Sequence, residues 1–309
     1  MIKAKILSLP HKRFLAGLVI LVSVLSILKV SAIAQQAGQG LEVSPPSQEV
    51  QVDPGTTTQV KASIRNKSTN TTTMSVRVED FTAYGDEGQV ELTNNPTYSI
   101  KNWTKVSPST FTLAPGQEQQ VTATVSVPKS AAGGRYGTFV FGVNGSPSKP
   151  GTASINQEIA SLFLLRISGP VNEKLSLLEF SAPTFSEFGP INFGLKVNNG
   201  GNVHVKTYGL INVTDMFNRK VKDVVVYETN VFPGSNRIVT GTLNNRFLIG
   251  RYNATAVLYY GSEKNQTITS TLTFYVFPVK IFAGIIVILV ILYLGRKRLK
   301  KAFKALKGK

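Results

Sequence analysis

Between Leu41 and Phe277 the sequence repeats short segments of alternating apolar and polar residues, and this pattern constrains the fold more than any other feature. Val, Ile, Thr, Tyr and Phe dominate the segments, and turn residues separate them about every 8–12 residues. No segment in this range shows the sustained 3.6-residue period of a helix. We therefore predict an all-β region made of β-sandwiches. The predicted strands are residues 58–65, 73–82, 89–92, 121–127, 136–143, 158–167, 174–180, 191–197, 204–213, 221–227, 238–243, 252–260 and 267–276.

A turn signal recurs three times in this region. In each case a Pro-Gly dipeptide lies just before a predicted strand, and a valine follows the proline by six residues. Proline presets φ for the second position of a type II turn, and glycine tolerates the positive φ of the third position. We expect each dipeptide to form a tight turn that starts a strand whose first inward residue is the valine. The three sets are Pro54-Gly55 with Val60, Pro115-Gly116 with Val121, and Pro233-Gly234 with Val239.

The net charge of +17 is typical of a nucleic-acid-binding protein, but its distribution excludes that class. Five of the 34 Lys and Arg residues lie before residue 35 and nine lie after residue 279, whereas all 17 Asp and Glu residues lie between Glu42 and Glu263. Residues 35–279 therefore carry only +3. Basic residues flanking apolar ends are typical of membrane topology signals, so we expect a membrane and no nucleic acid as a partner.

Residues 1–34 have the three parts of a secretory signal peptide. A basic region extends to Arg13, an apolar run follows over residues 14–28, and Ala32-Ile33-Ala34 has small residues at the positions that signal peptidase recognises. As a helix the run would span about 22 Å, which is shorter than the roughly 30 Å hydrocarbon core of a membrane. We predict export and cleavage before Gln35. An uncleaved N-terminal anchor is the alternative.

A second apolar segment, residues 277–295, is long enough to cross a membrane once. Lys280 can extend to the outer interface, and the basic tail of residues 296–309 follows directly. Because Lys and Arg next to a span stay in the cytoplasm, we predict a cell-membrane protein with an extracytoplasmic N-terminal part and a cytoplasmic tail. Leu299, Phe303 and Leu306 have helical spacing, so the tail is expected on the anionic inner leaflet or serves only as a topology signal.

The 309-residue length suits about two domains, and the boundary is predicted at Ser168-Gly169-Pro170. Proline cannot donate to a strand ladder, and glycine frees the angle between domains. The predicted fold class is an all-β ectodomain of two immunoglobulin-like β-sandwiches in tandem, residues 35–168 and 169–276, followed by one transmembrane α-helix.

The sequence carries no recognisable catalytic apparatus. It has no cysteine, which excludes thiol catalysis and cysteine metal sites. His204 is the only histidine after the signal, and a half-buried sheet position suits it better than a metal site. Glu79-Asp80 and Asp86-Glu87 could meet near a calcium ion, but solvated turn carboxylates fit their spacing better. No nucleophile elbow, phosphate-binding loop or zinc-protease motif occurs. We expect no enzyme, no metal and no cofactor.

Two places could bind a partner. Trp103, the only tryptophan, could stack on a sugar ring, although a tryptophan in the core of a sandwich is more common. In the segment 136–143, Tyr136, Thr138 and Val140 are predicted to face away from the core. If this strand lies at a sheet edge it could accept a partner by strand addition. If it is central, these residues belong to the interior.

Parts of both halves resemble a known family. Its N-terminal domain resembles residues 41–45, 103–116 and 127–137 of this chain, and its membrane-proximal immunoglobulin-like domain resembles residues 197–205, 216–220 and 232–234. The family is that of WxL-interacting bacterial surface proteins. The order of signal, two sandwiches, one span and basic tail is also similar. The resemblance implies binding to cell-wall peptidoglycan through the first domain and to a partner protein through the second.

These observations lead to one expected function and two alternatives. The expected function is a membrane-anchored cell-surface scaffold, with adhesion to cell-wall polymer, to a surface protein, or to both. The first alternative is a structural or accessory subunit of a membrane protein complex. The second is a carbohydrate-active enzyme or its accessory module.

Overall fold

The computed structural model describes residues 40–94, 96–143, 157–263 and 265–306. The predicted signal peptide lies outside these residues. The described chain forms two immunoglobulin-like β-sandwiches in tandem and one C-terminal apolar helix, which confirms the predicted all-β class. All thirteen predicted strands are present, with ends that differ by a few residues.

Ten strands form the first sandwich. They are β1 (Leu41–Ser44), β2 (Ser47–Val52), β3 (Thr57–Asn66), β4 (Thr72–Tyr84), β5 (Gln89–Thr93), β6 (Thr104–Ser107), β7 (Thr110–Leu113), β8 (Glu118–Ser126), β9 (Gly133–Val143) and β10 (Glu158–Ile167). One sheet has the order β1-β3-β8-β6. The other has the order β2-β10-β9-β4-β5, with β7 also paired to β4. Strands β2 and β10 run parallel, and the other pairs are antiparallel.

Eight strands form the second sandwich. They are β11 (Leu175–Ser181), β12 (Phe185–Ser186), β13 (Ile191–Asn199), β14 (Val205–Asp215), β15 (Lys220–Val231), β16 (Asn236–Leu243), β17 (Gly250–Tyr260) and β18 (Gln266–Val276). The sheets have the orders β11-β13-β16 and β12-β18-β17-β14-β15. Strands β15 and β16 therefore lie at the edges of different sheets, although they are consecutive in the chain.

The three Pro-Gly turns are confirmed. Each glycine has a positive φ, between 70° and 77°. The valines that follow, Val60, Val121 and Val239, are at most 3% exposed and face the cores. The same turn therefore starts an inward-facing strand twice in the first sandwich and once in the second.

A buried asparagine completes this repeat. Asn199, at the end of β13, donates from Nδ2 to the carbonyls of Val203 and Val231, and its Oδ1 accepts from Gly201 N, each at 2.8 Å. Its own carbonyl accepts from Gly234 N of the Pro-Gly turn at 2.8 Å. Asn66, at the end of β3, makes the corresponding bonds in the first sandwich. Both side chains are fully buried, so each fixes the loops at one end of its sandwich.

The helix α1 (Val279–Leu306) follows β18 after Pro278, a residue that fits the first turn of a helix because it lacks an amide proton. Its window Val279–Lys297 has a mean hydropathy of 2.3, and none of it is buried against the sandwiches. Nineteen residues span about 28 Å, close to the thickness of a hydrocarbon core. One helix of the described chain is thus long and apolar enough to cross a membrane.

Candidate functional site

An aromatic cluster joins the two sandwiches. Phe81 on β4 and Tyr136 on β9 face Phe232, which directly follows β15. The Phe232 ring meets Tyr136 edge-on at a centroid distance of 5.0 Å and Phe81 at 5.5 Å. Phe81 and Tyr136 are each 2% exposed. The cluster therefore packs the two sandwiches against each other.

A polar network lies beside this cluster. His204, just before β14, is 1% exposed, so it is more deeply buried than the half-buried position we expected. Its Nε2 lies 3.0 Å from Oε1 of Glu49 on β2, and its Nδ1 lies 3.3 Å from the Tyr136 hydroxyl. Both ring nitrogens of His204 therefore lie close to polar groups of the first sandwich. Lys206 Nζ approaches the other Glu49 oxygen at 2.7 Å.

The network fixes the charge of its members. The hydrogen bond with His204, reinforced by Lys206, lowers the pKa of Glu49 from 4.5 to about 2, although burial opposes this effect. Burial raises the pKa of Tyr136 well above its ordinary value. Glu49 is therefore an anion and Tyr136 a neutral donor at neutral pH. Because these contacts connect the two sandwiches, we assign them a structural role.

The hairpin between β4 and β5 makes a second contact between the sandwiches. At its tip, the Asp86 carbonyl accepts a hydrogen bond from Ile238 N of β16 at 2.6 Å, and the Asp86 carboxylate pairs with Lys196 on β13 at 2.5 Å. Gly88 has a φ of +78°, and a Cβ at this position would lie 0.9 Å from Nη1 of Arg237. Only glycine lets the guanidinium lie against this backbone.

These contacts frame a groove of about 370 Å³, which we call the junction groove. Strand β15 contributes Tyr227 and Thr229, strand β16 contributes residues 237–240, and the hairpin contributes Glu87. Within the described chain β15 pairs only with β14, and β16 pairs with β13 and makes one bond to the hairpin. Two sheet edges thus meet at one groove, and unpaired edges are where another polypeptide can add a strand.

Arg237 lies in the junction groove without a partner. Among the described residues its guanidinium has no ion pair and no hydrogen bond, and its Nε is buried. Burial lowers the pKa of Arg237, and no neighbouring anion offsets this effect. A guanidinium presents a planar fork of donors that matches a carboxylate. The groove can therefore bind a negatively charged group supplied by another molecule.

An apolar face continues outward from the junction groove. Tyr227 is 78% exposed and Val225 is 50% exposed, both on β15. Leu210, opposite Val225 on β14, is 42% exposed. Exposed apolar side chains that adjoin an unpaired strand mark a surface suited to a protein partner.

Of the two positions considered for the segment 136–143, edge and central, the structure has the central one. Strand β9 carries Tyr136, Thr138 and Val140 and lies between β10 and β4, so its backbone is already paired on both sides. The three side chains are at most 3% exposed. Tyr136 is covered by the second sandwich, and the Thr138 hydroxyl donates to the Ser161 carbonyl at 3.1 Å. Strand addition at β9 is therefore excluded, and these residues belong to the interior.

Trp103 lies apart from the junction groove. Its ring packs, partly buried, against the core of the first sandwich, and the Arg135 guanidinium lies over the ring at 5.3 Å from its centroid. This position favours a core role over a sugar-stacking platform.

The acidic pairs considered for calcium serve other contacts. Asp80 accepts from the Ser99 hydroxyl and from the backbone amides of Ile100 and Lys101, whereas Asp86 pairs with Lys196. Within the described residues no group of three or more His, Asp and Glu side chains is arranged to hold a metal.

The residues of the junction groove were not identified from the sequence. One signal was present, because the run Val224-Val225-Val226-Tyr227 places apolar residues on both faces of a predicted strand. Such a strand has a second apolar neighbour to contact, either inside the fold or outside it.

Comparisons with known proteins concern the fold. No family model matches the chain, and no curated protein matches it. Among solved structures, the class 5 fimbriae chaperone CfaA is 16% identical, with a TM-score of 0.41 and coverage of 75% of this chain and 98% of that chain. The periplasmic chaperone SfaE is 11% identical, with a TM-score of 0.36 and coverage of 76% and 100%. The E. coli chaperone DraB is 12% identical, with a TM-score of 0.36 and coverage of 76% and 96%.

Two expectations are corrected by these comparisons. The resemblance to WxL-interacting surface proteins is wrong, because the three solved structures above are chaperones, one of them a fimbriae chaperone, instead. The expected function, a membrane-anchored surface scaffold that binds cell-wall glycan, is wrong for the same reason. A cell-wall polymer is therefore not supported as the partner, and the tandem sandwich is what the comparisons share with this chain.

Proposed function

We propose that this chain is a non-enzymatic protein-binding module that holds an extended segment of a partner polypeptide in the junction groove. The observation that supports this function is the combination, in one groove, of two available strand edges and Arg237, whose guanidinium has no partner in the described part of the chain. Other residues at the junction are already engaged within the fold, as the Glu49–His204 contact illustrates.

Strand addition provides the affinity in this proposal. A segment laid along β15 would pair with the edge of this strand that no other described strand occupies, and its alternate side chains would contact Tyr227 and Val225. Main-chain hydrogen bonds give such complexes their affinity, and the pockets for alternate side chains give selectivity.

Arg237 provides the selectivity for charge. A carboxylate on the bound segment, from a side chain or from a chain terminus, would form a paired hydrogen bond with its fork of donors. The Arg237 guanidinium is partly buried and has no partner among the described residues, so it has already lost much of its hydration. Pairing it with a carboxylate therefore costs little further desolvation, and more of the attraction contributes to the binding free energy.

The helix α1 serves as the tether in this proposal. Export through residues 1–34 and retention by one span place both sandwiches outside the cytoplasmic membrane, with residues 296–309 inside. The basic residues after the apolar window support this orientation. The partner is accordingly a protein that is exposed on the same side of the membrane.

A peptide-binding experiment tests the proposal. The purified full-length chain in detergent is titrated with a library of labelled extended peptides that carry alternating apolar residues and a carboxylate. Binding is expected for a subset, and Arg237→Gln should weaken it roughly 10- to 100-fold, because a charged hydrogen bond contributes about 1.5–3 kcal/mol. Arg237→Lys should give an intermediate affinity, since lysine keeps the charge but lacks the fork.

Two controls separate a general effect of positive charge from a specific effect of the junction groove. Lys105→Gln removes one exposed positive charge on β6 of the first sandwich and should leave the affinity unchanged. Peptides methylated at alternate backbone amides should lose affinity if they add as a strand. Peptides that bind equally well to the Arg237→Gln chain, or that bind regardless of methylation, would argue against the proposed mode.

A further inference from the structure

The end of the second sandwich from which α1 leaves exposes a group of large apolar side chains. In the described part of the chain before the helix, fifteen large apolar residues are exposed, and seven of them lie at this end. We call these seven residues the basal surface. They are Phe185, Met216, Phe217, Phe247, Ile249, Tyr275 and Phe277.

Strand register places these residues on the same side as the start of the helix. Val276, the last residue of β18, pairs with Gly250 at the start of β17 and with Ser186 on β12. Tyr252 pairs with Asp215 at the end of β14. The loops of residues 216–219 and 244–249 therefore open toward α1.

The loop before β17, residues 244–249, exposes two of its apolar side chains to solvent. Leu248 is 5% exposed and belongs to the core of the second sandwich. Its neighbours Phe247 and Ile249 are 80% and 60% exposed. The Tyr252 hydroxyl accepts from Ile249 N at 3.0 Å and donates to the Ile249 carbonyl at 3.1 Å. Because Leu248 is anchored in the core and both backbone groups of Ile249 are bonded to Tyr252, the two exposed side chains cannot turn inward without breaking these contacts.

Basic residues accompany the apolar ones. Arg246 and Arg251 are exposed at this end, and neither guanidinium has an ion-pair or hydrogen-bond partner among the described residues. Arg219 lies over the Phe217 ring, 5.2 Å from its centroid. Aromatic residues next to arginines are typical of surfaces that sit at the boundary of headgroups and acyl chains, where the rings contact hydrocarbon and the cations contact lipid phosphate.

The basal surface is also continuous with the helix. The rings of Phe277 and Phe282 stack at 4.6 Å, and Lys280 Nζ lies 3.4 Å from Glu187 Oε1 in the loop after β12. A helix that crosses the membrane from Val279 would hold this end of the sandwich at the lipid headgroups. The nearest large apolar phase is then the bilayer itself.

We infer that the basal surface inserts into the headgroup and upper acyl region of the membrane that α1 crosses. The second sandwich then rests on the bilayer at a fixed tilt, which sets the height of the junction groove above the lipid. This inference depends on the tether in the proposed function. The expected depth is about 5–10 Å, as for other interfacial apolar surfaces.

The absence of cysteine makes the test direct, because each introduced cysteine is the only labelling site. The full-length chain, at one copy per lipid nanodisc containing anionic lipid, is labelled with a nitroxide at Phe217→Cys or Phe247→Cys. Leu178→Cys, on β11 and 57% exposed, is the matched control outside the basal surface. Ile288→Cys, within α1, reports on the span itself. Collision with oxygen, which concentrates in lipid, is compared with collision with a water-soluble nickel complex.

Lipid insertion predicts a certain order for the ratio of oxygen collisions to nickel-complex collisions. At positions 217 and 247 this ratio should be several-fold higher than at position 178 and lower than at position 288. Adding Phe247→Asp to the chain labelled at 217 should abolish that preference. If positions 217 and 247 match position 178 while position 288 is deep in lipid, the inference is overturned and the tether stands. If position 288 is exposed to the nickel complex, the tether itself is wrong. An unchanged reading at 217 in the Phe247→Asp chain also overturns the inference.

Discussion

Replacing Glu49 with Gln tests how the junction is held together. Glu49 reaches from β2 to His204 and Lys206 of the second sandwich, and its pKa falls from 4.5 to about 2 in the folded chain. A difference of about 2.5 in pKa corresponds to about 3 kcal/mol. Because the Glu49 side chain is 29% exposed, solvent screening reduces this to roughly 1–2 kcal/mol.

The pH dependence has a definite sign. Because the folded pKa lies below the unfolded value, the stabilisation is fully present above pH 4.5 and is lost as the pH falls toward 2. Glu49→Gln should therefore lower the free energy of unfolding by about 1–2 kcal/mol at pH 7, and the difference from the unsubstituted chain should shrink to near zero at about pH 2.

Urea unfolding of the full-length chain in detergent measures this difference. Trp103, the only tryptophan, reports on the first sandwich by fluorescence, and circular dichroism reports on the whole chain. Glu179→Gln removes an exposed carboxylate on β11 and should change the free energy by less than about 0.5 kcal/mol. Equal losses for Glu49→Gln at pH 7 and pH 2, or no loss at pH 7, would refute the reasoning.

Three further substitutions probe the turn, the loops and the aromatic cluster. Gly88→Ala should lower the free energy of unfolding by about 1–2 kcal/mol, because φ is +78° at this position, and thermal unfolding measures this loss. The same substitution should displace Arg237 and abolish peptide binding, which titration measures. Asn199→Ala leaves three backbone groups without their partners, two buried and one part-buried, and should cost about 2–4 kcal/mol in urea unfolding. Asn192→Ala, at an exposed position, should cost under about 1 kcal/mol. Phe232→Ala should cost about 1–3 kcal/mol and separate the unfolding of the two sandwiches into two steps, which calorimetry would resolve. A single unfolding step after Phe232→Ala would contradict the role given to the cluster.

Most of the long strands were predictable because one face of each packs on a core and the other face does not, so that buried and more exposed residues alternate along the sequence. In β16, for instance, Val239 alternates with exposed neighbours, and a Pro-Gly turn marks the start of the strand. The strands that sequence reasoning missed, β1, β2, β6, β7 and β12, have two to six residues and lie at or near sheet edges. A short edge strand has too few residues to show a period, and its pairing depends on a partner far away in the sequence.

The junction groove could not be predicted for a different reason. Residues 136, 138 and 140 were expected to face away from the core. However, the alternation of a strand says nothing about which other domain covers its outer face, and here Phe232 covers Tyr136. The groove itself needs the hairpin tip at Gly88 and the edge residue Arg237 to meet, although about 150 residues separate them. Only the packing of the two sandwiches brings these positions together.

Hydrogen exchange of the full-length chain with a bound peptide tests the central claim most directly. Exchange of backbone amides is followed by mass spectrometry with and without the tightest-binding peptide from the library. Pairing in the junction groove predicts slower exchange over β15 and the adjoining part of β16, with β5, another exposed edge, unchanged. Slower exchange confined to β5, or no change over β15 when the peptide is bound, would contradict the account.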